Sequence, residues 1–368
     1  MTPREFCAIA RRLMTCPAAP YHEHGVRDAV EALCAEHGLD CRRDRFGNVL
    51  VELRQRPPRG TRPLALAAHL DHPGFVVRAR HGRQGWAAEF LGGVPEDYFR
   101  PGIPVRLLPG GQPARLGRRL PGARRHELRP DRATPGQPPA PPRFAVWELE
   151  DFAVRGGRIH GRACDDLIGV AAILATLIEL KRQRARVHVT GILARAEEVG
   201  FQGALTVAAA RGVPPDSLIV SLETSRELPP VRMGRGMIVR VGDRASTFSS
   251  AATRFLAEVA AALAAEQPGF LHQRALMSGG TCEATAYQEF GYEVAAVCVA
   301  LGHYHNCGPR GRIAAEFVSV ADALGMVRLL TAAAGRMGDY RRLAGRLPAR
   351  LRGLLAEGRR RLRPGARA

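Results

Sequence analysis

The chain has 368 residues, 46% of them hydrophobic, and a formal net charge of +19. That length supports one large core, or one domain carrying a second. No apolar run reaches the ~18 residues of a membrane span, and Met1–Pro20, broken by Arg4, Arg11 and Arg12, lacks the apolar centre of a signal peptide. The charge invites a nucleic-acid reading, but it is concentrated in two segments. Residues 336–368 hold eleven Arg against Asp339 and Glu357, and residues 113–145 hold eight Arg against Glu127 and Asp131. Tyr340 is the one aromatic among the tail arginines, too few for a base-stacking platform; nucleic acid is not the expected partner.

In chain order, Pro3 to His37 reads as two helices split by Cys16-Pro17-Ala18-Ala19-Pro20. Leu39 to Leu53 reads as a hairpin turning at Phe46-Gly47-Asn48, followed by a Pro/Arg loop over Arg54–Arg62. Four apolar runs of strand length follow at intervals: Leu64–Leu70, Val187–Ala194, Ser217–Leu222 and Val294–Leu301. They lack alternation, as strands buried on both faces should. Helical patterns lie between or after them, over Leu167–Leu180, Gly203–Arg211, Arg254–Glu266, Cys282–Phe290 and Ala314–Ala333. The expected fold is therefore α/β, with a central mixed, mostly parallel sheet and helices on both faces. Residues 75–158 interrupt the rhythm with short β-like pieces, Phe75–Arg80, Trp86–Phe90, Ile103–Leu108 and Phe144–Leu149. They predict a small inserted β-domain, so that residues 1–74 and 159–335 form the main domain. Within the insert, Gln112–Arg143 is dominated by Pro, Arg and Gly and predicts a disordered or extended loop. The tail after Gly338, with Pro348 and its Arg run, predicts no docked structure. Eight cysteines without a CxxC pair read as reduced thiols of a cytoplasmic protein, although by count alone Cys34 and Cys41 could bridge.

The chemistry is in the strand ends. His69, Asp71 and His72 end the first apolar run. Glu197 and Glu198 follow the second, Glu223 ends the third, and His303 and His305 follow the fourth. Asp165 and Asp166 open the buried helix. Ligands of open α/β sheets bind at the carboxyl ends of the strands, so these distant residues converge. Singly, each has a commonplace structural reading: a solvated acid pair, a helix cap, a histidine in a turn. Their order along consecutive strand ends carries the inference. Imidazole and carboxylate without a thiolate cluster suit zinc, cobalt or manganese. Two divalent ions need a bridging carboxylate and further ligands of their own. His69, Asp165, Glu198, Glu223 and His305 supply that set, with one carboxylate left to take a proton from water. Asp71 is placed to orient the imidazole of His69.

The set resembles the glutamyl aminopeptidase and tetrahedral aminopeptidase family of co-catalytic zinc exopeptidases. The resemblance rests on Ala68-His69-Leu70-Asp71-His72-Pro73-Gly74, Gly161-Arg162-Ala163-Cys164-Asp165-Asp166-Leu167-Ile168-Gly169-Val170 and Ala196-Glu197-Glu198-Val199-Gly200-Phe201-Gln202-Gly203-Ala204. Gly279-Gly280-Thr281, the His305 segment and the early turn Asp44-Arg45-Phe46-Gly47-Asn48 continue it. It implies that His69, Asp165 and Glu223 hold one metal and Asp165, Glu198 and His305 the other, with Asp165 bridging. It also implies that Glu197 is the general base, that the Asp165–Asp166 bond is cis, and that family members assemble through the β-domain, which covers the cleft. The implied activity is removal of an N-terminal residue from short peptides by a homo-oligomeric enzyme. Three departures stand out. Glu223 replaces the family's usual Asp, His72 replaces a common acid, and His303 adds an imidazole beside His305. Glu is found at the position of Glu223 in related carboxypeptidases and deacylases. The alternative is therefore a deacylase or carboxypeptidase of small N-acyl compounds, in which a cation would read the substrate carboxylate.

Overall fold

The computed structural model describes residues 1–82, 85–131, 141–345 and 349–363, the side chains of residues 349 and 350 excepted. Two helices, α1 (Pro3–Met14) and α2 (His24–His37), lead into strands β1 (Asp40–Arg43), β2 (Val49–Gln55) and β3 (Leu64–His69). The inserted strands are β4 (Gly74–His81), β5 (Gly85–Leu91), β6 (Pro104–Leu108), β7 (Gln112–Arg119), β8 (Arg125–Pro130) and β9 (Phe144–Trp147). The chain returns through β10 (Ala153–Arg155), β11 (Arg158–Gly161), α3 (Leu167–Arg182), β12 (Val187–Ala194), α4 (Gln202–Ala209) and β13 (Leu218–Arg226). It ends with β14 (Met237–Gly242), α5 (Ser250–Glu266), β15 (His272–Leu276), α6 (Glu283–Glu289), β16 (Glu293–Gly302), β17 (Glu316–Ser319), α7 (Val320–Gly335), α8 (Tyr340–Ala344) and α9 (Ala349–Arg361).

The main sheet is mixed, as expected, and runs β1-β2-β12-β3-β13-β16-β17-β11-β10, with β14 beside β16 and β15 beside β14. Its centre, β12-β3-β13-β16, is parallel; the flanking pairs are antiparallel apart from β14 with β15. Every residue of β3 is buried, because helices cover both faces. The larger core lies under α1, α2, α3, α5 and α7, the smaller under α4 and α6. Helix α3 is apolar nearly all round because α1, α7 and the sheet enclose it. Its start is fixed by Asp166, whose carboxylate accepts the Gly169 N–H at 3.1 Å. A side chain at position 169 would collide with that cap, its Cβ falling 2.1 Å from Asp166 Oδ2.

The insert closes into a barrel in the order β4-β5-β8-β7-β6-β9 around Phe75, Phe90, Leu128 and Trp147. The loop expected over Gln112–Arg143 is thus overturned where it is described: β7 and β8 are barrel strands. Ala114 and Leu116 point inward between outward Arg115 and Arg118, and His126 and Leu128 do the same on β8. Composition hid a short alternation whose outer face is arginine; the part of that expectation on residues 132–140 lies outside the described residues. The tail is corrected in the same way. Tyr340 of α8 packs edge-on to Phe255 and donates to Glu293 at 2.6 Å, and α9 is helical with Leu351, Leu354 and Leu355 partly exposed. The helix expected over Ala314–Ala333 is two elements, β17 and then α7, separated where Ser319 caps α7 by accepting the Asp322 N–H. All eight cysteines are free thiols, Cys34 and Cys41 included.

Candidate metal centre

Strand β3 delivers His69, β12 leads directly into Glu197 and Glu198, and β13 carries Glu223. The turn after β16 presents His305, and the peptide before α3 presents Asp165, joined to Asp166 by a cis bond. Three sets of ligand atoms lie within 4.8 Å of one another: His69, Asp165 and Glu223; Asp165, Glu198 and His305; and His69, Glu197 and Glu198. All five expected ligands are therefore together. His303 is not among these groups; its Nδ1 lies 2.9 Å from the Ala315 carbonyl and its ring stands edge-on to Phe317.

The imidazoles are oriented from behind. His69 Nδ1 lies 3.1 Å from the main-chain carbonyl of Asp71, and His305 Nδ1 lies 3.0 Å from that of Gly93, in the loop after β5. A carbonyl only accepts, so each Nδ1 donates its proton there, and Nε2 is the ring nitrogen turned toward the carboxylates. Those Nε2 atoms face the two oxygens of one carboxylate, His69 to Asp165 Oδ1 at 3.5 Å and His305 to Asp165 Oδ2 at 3.4 Å. His305 Nε2 is also 3.2 Å from Glu198 Oε1, whereas Glu197 Oε2 is 3.9 Å from His69 Nε2.

Asp71 behaves differently from its expected role. Its carboxylate is 3.7 Å from His69 Nδ1 and instead accepts the main-chain N–H of Glu197 at 2.9 Å and of Glu198 at 3.2 Å. It orients the acid pair directly and His69 through its own carbonyl. The early Asp-x-x-Gly-Asn turn serves the same loop: Asp44 fixes Asn48, and Asn48 Oδ1 accepts the Arg195 N–H at 3.0 Å.

Sequence reasoning missed a second buried organiser. Glu316, at the start of β17, accepts the N–H groups of Cys164 (2.8 Å), Asp165 (3.0 Å) and His305 (2.8 Å). It ties the bridging-acid segment to the histidine turn. Nothing marked it, since a lone Glu in an apolar run reads as helix surface. His72 adds a further strut, its Nδ1 2.7 Å from the Asp165 carbonyl and its Nε2 3.0 Å from Asn306 Oδ1.

The electrostatics calls for a cation. Burial, reinforced by neighbouring acids, pushes the Glu223 carboxyl up to about 8 and those of Glu197 and Asp166 well above the usual carboxylate range. His69 is raised despite its burial, by Glu197, Asp165, Asp71 and Glu223. Asp165 Oδ1 and Glu198 Oε1 are buried without a hydrogen-bond partner. Orphaned carboxylate oxygens facing free imidazole Nε2 atoms fit divalent metal, and Asp165, with one oxygen toward each imidazole, fits a bridge between two ions. The cleft over these groups has a volume of about 520 Å³, and Arg226, Arg240 and Arg244 also line it.

Residues 141–318 match the family model M42 glutamyl aminopeptidase. The match covers 178 of the 368 residues, just under half of the chain. The chain's activity class is accordingly that of a metallo-aminopeptidase hydrolase. No curated protein matches the chain. Among solved structures it is similar to the Pyrococcus horikoshii TET1 peptidase, at 18% identity and TM-score 0.73, covering 89% of this chain and 99% of that one. An aminopeptidase from the archaeon Desulfurococcus kamchatkensis gives 21% and 0.73, covering 94% and 99%. A TET aminopeptidase from a marine sediment thaumarchaeon gives 19% and 0.75, covering 92% and 99%. At these identities the likenesses bear on the fold, and they extend over nearly the whole of those chains.

Proposed function

We propose that this metal-dependent aminopeptidase works with two divalent ions, zinc being the best fit, held by His69, Asp165 and Glu223 on one side and Asp165, Glu198 and His305 on the other. The observation that carries this reading is the placement of Asp165, one oxygen toward each of two imidazoles whose Nδ1 atoms are already engaged. When bound, such a pair polarises the scissile carbonyl and acidifies water.

The chain's own residues then have distinct tasks. Glu197 accepts the proton of the attacking water on its carboxylate and returns it to the leaving amine nitrogen. Its backbone is pinned by Asp71, so the carboxylate is held toward the His69 side of the cleft. Glu198, against His305 Nε2, serves as a ligand. Gly93 leaves the barrel to brace His305, so the inserted domain borders the cleft and restricts it to narrow substrates, short peptides presenting a free N-terminus. A homo-oligomer built through that domain is consistent with the TET1 peptidase, described as assembling into a tetrahedron or a large octahedral shell. Eight free thiols accord with a reducing, cytoplasmic setting.

The test is metal analysis beside peptide cleavage. About two divalent ions per chain are expected, with activity lost to a chelator and regained with Zn, Co or Mn. N-terminal acetylation of the peptide should block cleavage. Active protein free of metal, or equal cleavage of acetylated peptides, would overturn the reading.

A further inference from the structure

Helix α9 is built unlike the other long helices of the fold. The apolar side chains of α1, α2, α3, α5 and α7 are buried in the larger core. None of the described side chains of α9 joins that core, the smaller one or the barrel's. Leu351, Leu354 and Leu355 are 47%, 50% and 47% exposed, and Leu362 is 86% exposed. At about 3.6 residues per turn these four fall on one face, with Gly358 between them. The Leu362 N–H donates to the Gly358 carbonyl at 2.8 Å, which carries the helical register through the last leucine.

The rest of the helix is strongly basic. Residues 349–363 hold six Arg and one acid, Glu357, and Glu357 is taken by Arg361 at 2.8 Å. By helical position Arg352 and Arg359 stand on one margin of the leucine stripe, Arg361 on the other and Arg360 opposite it. Residues 341–368 contain no aromatic residue and no Met. A helix this short, with Gly353 and Gly358 inside it, is marginal in water unless its apolar face is covered.

The chemistry of the stripe selects what covers it. A nucleic acid answers the charge but leaves the leucines in water. A second copy of the helix answers the leucines but sets arginine against arginine. A groove in another protein is typically filled by large anchors, aromatic residues above all, and α9 has none. An anionic bilayer answers both features: leucines enter the acyl boundary, and flanking arginines reach back along their apolar stems to the phosphates.

We propose that α9 is a docking surface for anionic phospholipid membrane, lying in the plane of the interface with its leucines inward. No described helix is long and apolar enough to cross a membrane, and this mode of binding requires none. None of the described residues of α9 lines the metal-site cleft, so the proposal is independent of the aminopeptidase reading.

The experiment sediments full-length, metal-loaded protein with vesicles of phosphatidylcholine alone or mixed with phosphatidylglycerol. Wild type should pellet with the mixed vesicles, weakly or not at all with phosphatidylcholine, and less as salt is raised. Leu354→Ser/Leu355→Ser should lower partition into mixed vesicles by about 10-fold or more per leucine. Arg359→Gln/Arg360→Gln keeps the stripe and should lower it about 5-fold per arginine. Removal of residues 346–368 should abolish it, with cleavage of a soluble peptide unchanged in all three variants. Failure of wild type to bind the mixed vesicles overturns the proposal, as does equal binding to phosphatidylcholine. So does binding that survives the leucine substitutions, which would reduce the effect to charge alone. Retention on duplex DNA without vesicle binding would assign the helix to nucleic acid. A change of oligomeric state in the leucine variant, again without vesicle binding by wild type, would assign the stripe to a second copy. Either result also overturns the proposal.

Discussion

Around His69 more buried carboxylates crowd the centre, whereas around His305 more of the bracing comes from hydrogen bonds to main-chain groups. On the first side Glu197, Glu223 and Asp166 crowd one imidazole, and buried Glu283 stands behind them with both oxygens unpartnered. On the second side Glu316 gathers three N–H groups, Gly93 accepts from the imidazole, and Asn306 Nδ2 donates to the Arg162 carbonyl at 2.8 Å. The difference teaches that one half is preformed by the fold and the other waits for a cation to relieve its repulsion. If so, removing metal should loosen the His69 side more than the His305 side, and variants on the two sides should fail in different ways.

The largest expected effect tests roles within the acid pair. Glu197→Gln keeps shape but cannot carry a proton; turnover should fall by about 10²–10⁴ with both metals retained. Glu198→Gln should instead weaken one metal, on the His305 side. Metal stoichiometry and turnover on both variants decide it. Loss of a metal in Glu197→Gln, or both metals and full activity in Glu198→Gln, would sink the assignment.

A second test breaks the charge-held side without touching a proposed ligand. Burial and Asp71 raise the Glu283 carboxyl to about 7, against the opposing pull of His69. A carboxyl raised in the folded state costs nothing below the unfolded value of about 4.5, where both states are protonated. The cost grows as pH rises between about 4.5 and 7 and is complete above that window. In metal-free protein, Glu283→Gln should therefore gain stability relative to wild type as pH increases, by about 3 kcal/mol in total. Denaturant midpoints at pH 4 and pH 8 give the comparison; a difference independent of pH would show that Glu283 is not held against its charge. Metal should shrink the difference, since a nearby dication favours the ionised form.

The hydrogen-bonded side should respond to Glu316→Gln. An amide nitrogen would then face a main-chain N–H, leaving donors of the Asp165 or His305 segment unpaired. Loss of such a supporting group typically costs about 10- to 100-fold in metal affinity. Chelator competition should find the weaker metal released first, with the His69-side metal less affected. Equal weakening of both would mean that Glu316 supports the centre as a whole, through Asp165.

What could be read in the sequence follows the same division. His69, Asp165, Glu198, Glu223 and His305 were legible because ligands at the ends of buried strands interrupt apolar runs, and a parallel core brings such ends together. The organisers were not. Glu316 stands in an apolar stretch, and Gly93 contributes only a carbonyl, which every residue has. Strands β7 and β8 were hidden because their outer faces are arginine, so composition outweighed a short alternation. Asp71 was legible as a partner of the site, but its target was not. Which donors a carboxylate meets depends on the path of β12 into the Glu197–Glu198 loop, and spacing along the chain does not encode that path.

The smallest effect sharpens the comparison most, because it enters from the barrel alone. A Cβ at Gly93 would lie 3.4 Å from both Cε1 and Nδ1 of His305. That is tight, but the ring can yield by a few tenths of an ångström. Gly93→Ala should therefore fall near the lower end of the roughly 1–3 kcal/mol that overpacking costs, seen as reduced metal affinity on the His305 side. Gly93→Val adds two methyl groups at the same place and should be worse. The carbonyl that accepts from Nδ1 is present in all three proteins, so the series varies the pressure on the ring and not the hydrogen bond. A graded loss confined to the His305-side metal would show that the barrel sets the position of that ligand. Unchanged metal affinity in Gly93→Val would show that the histidine turn and Glu316 position His305 without help from the inserted domain.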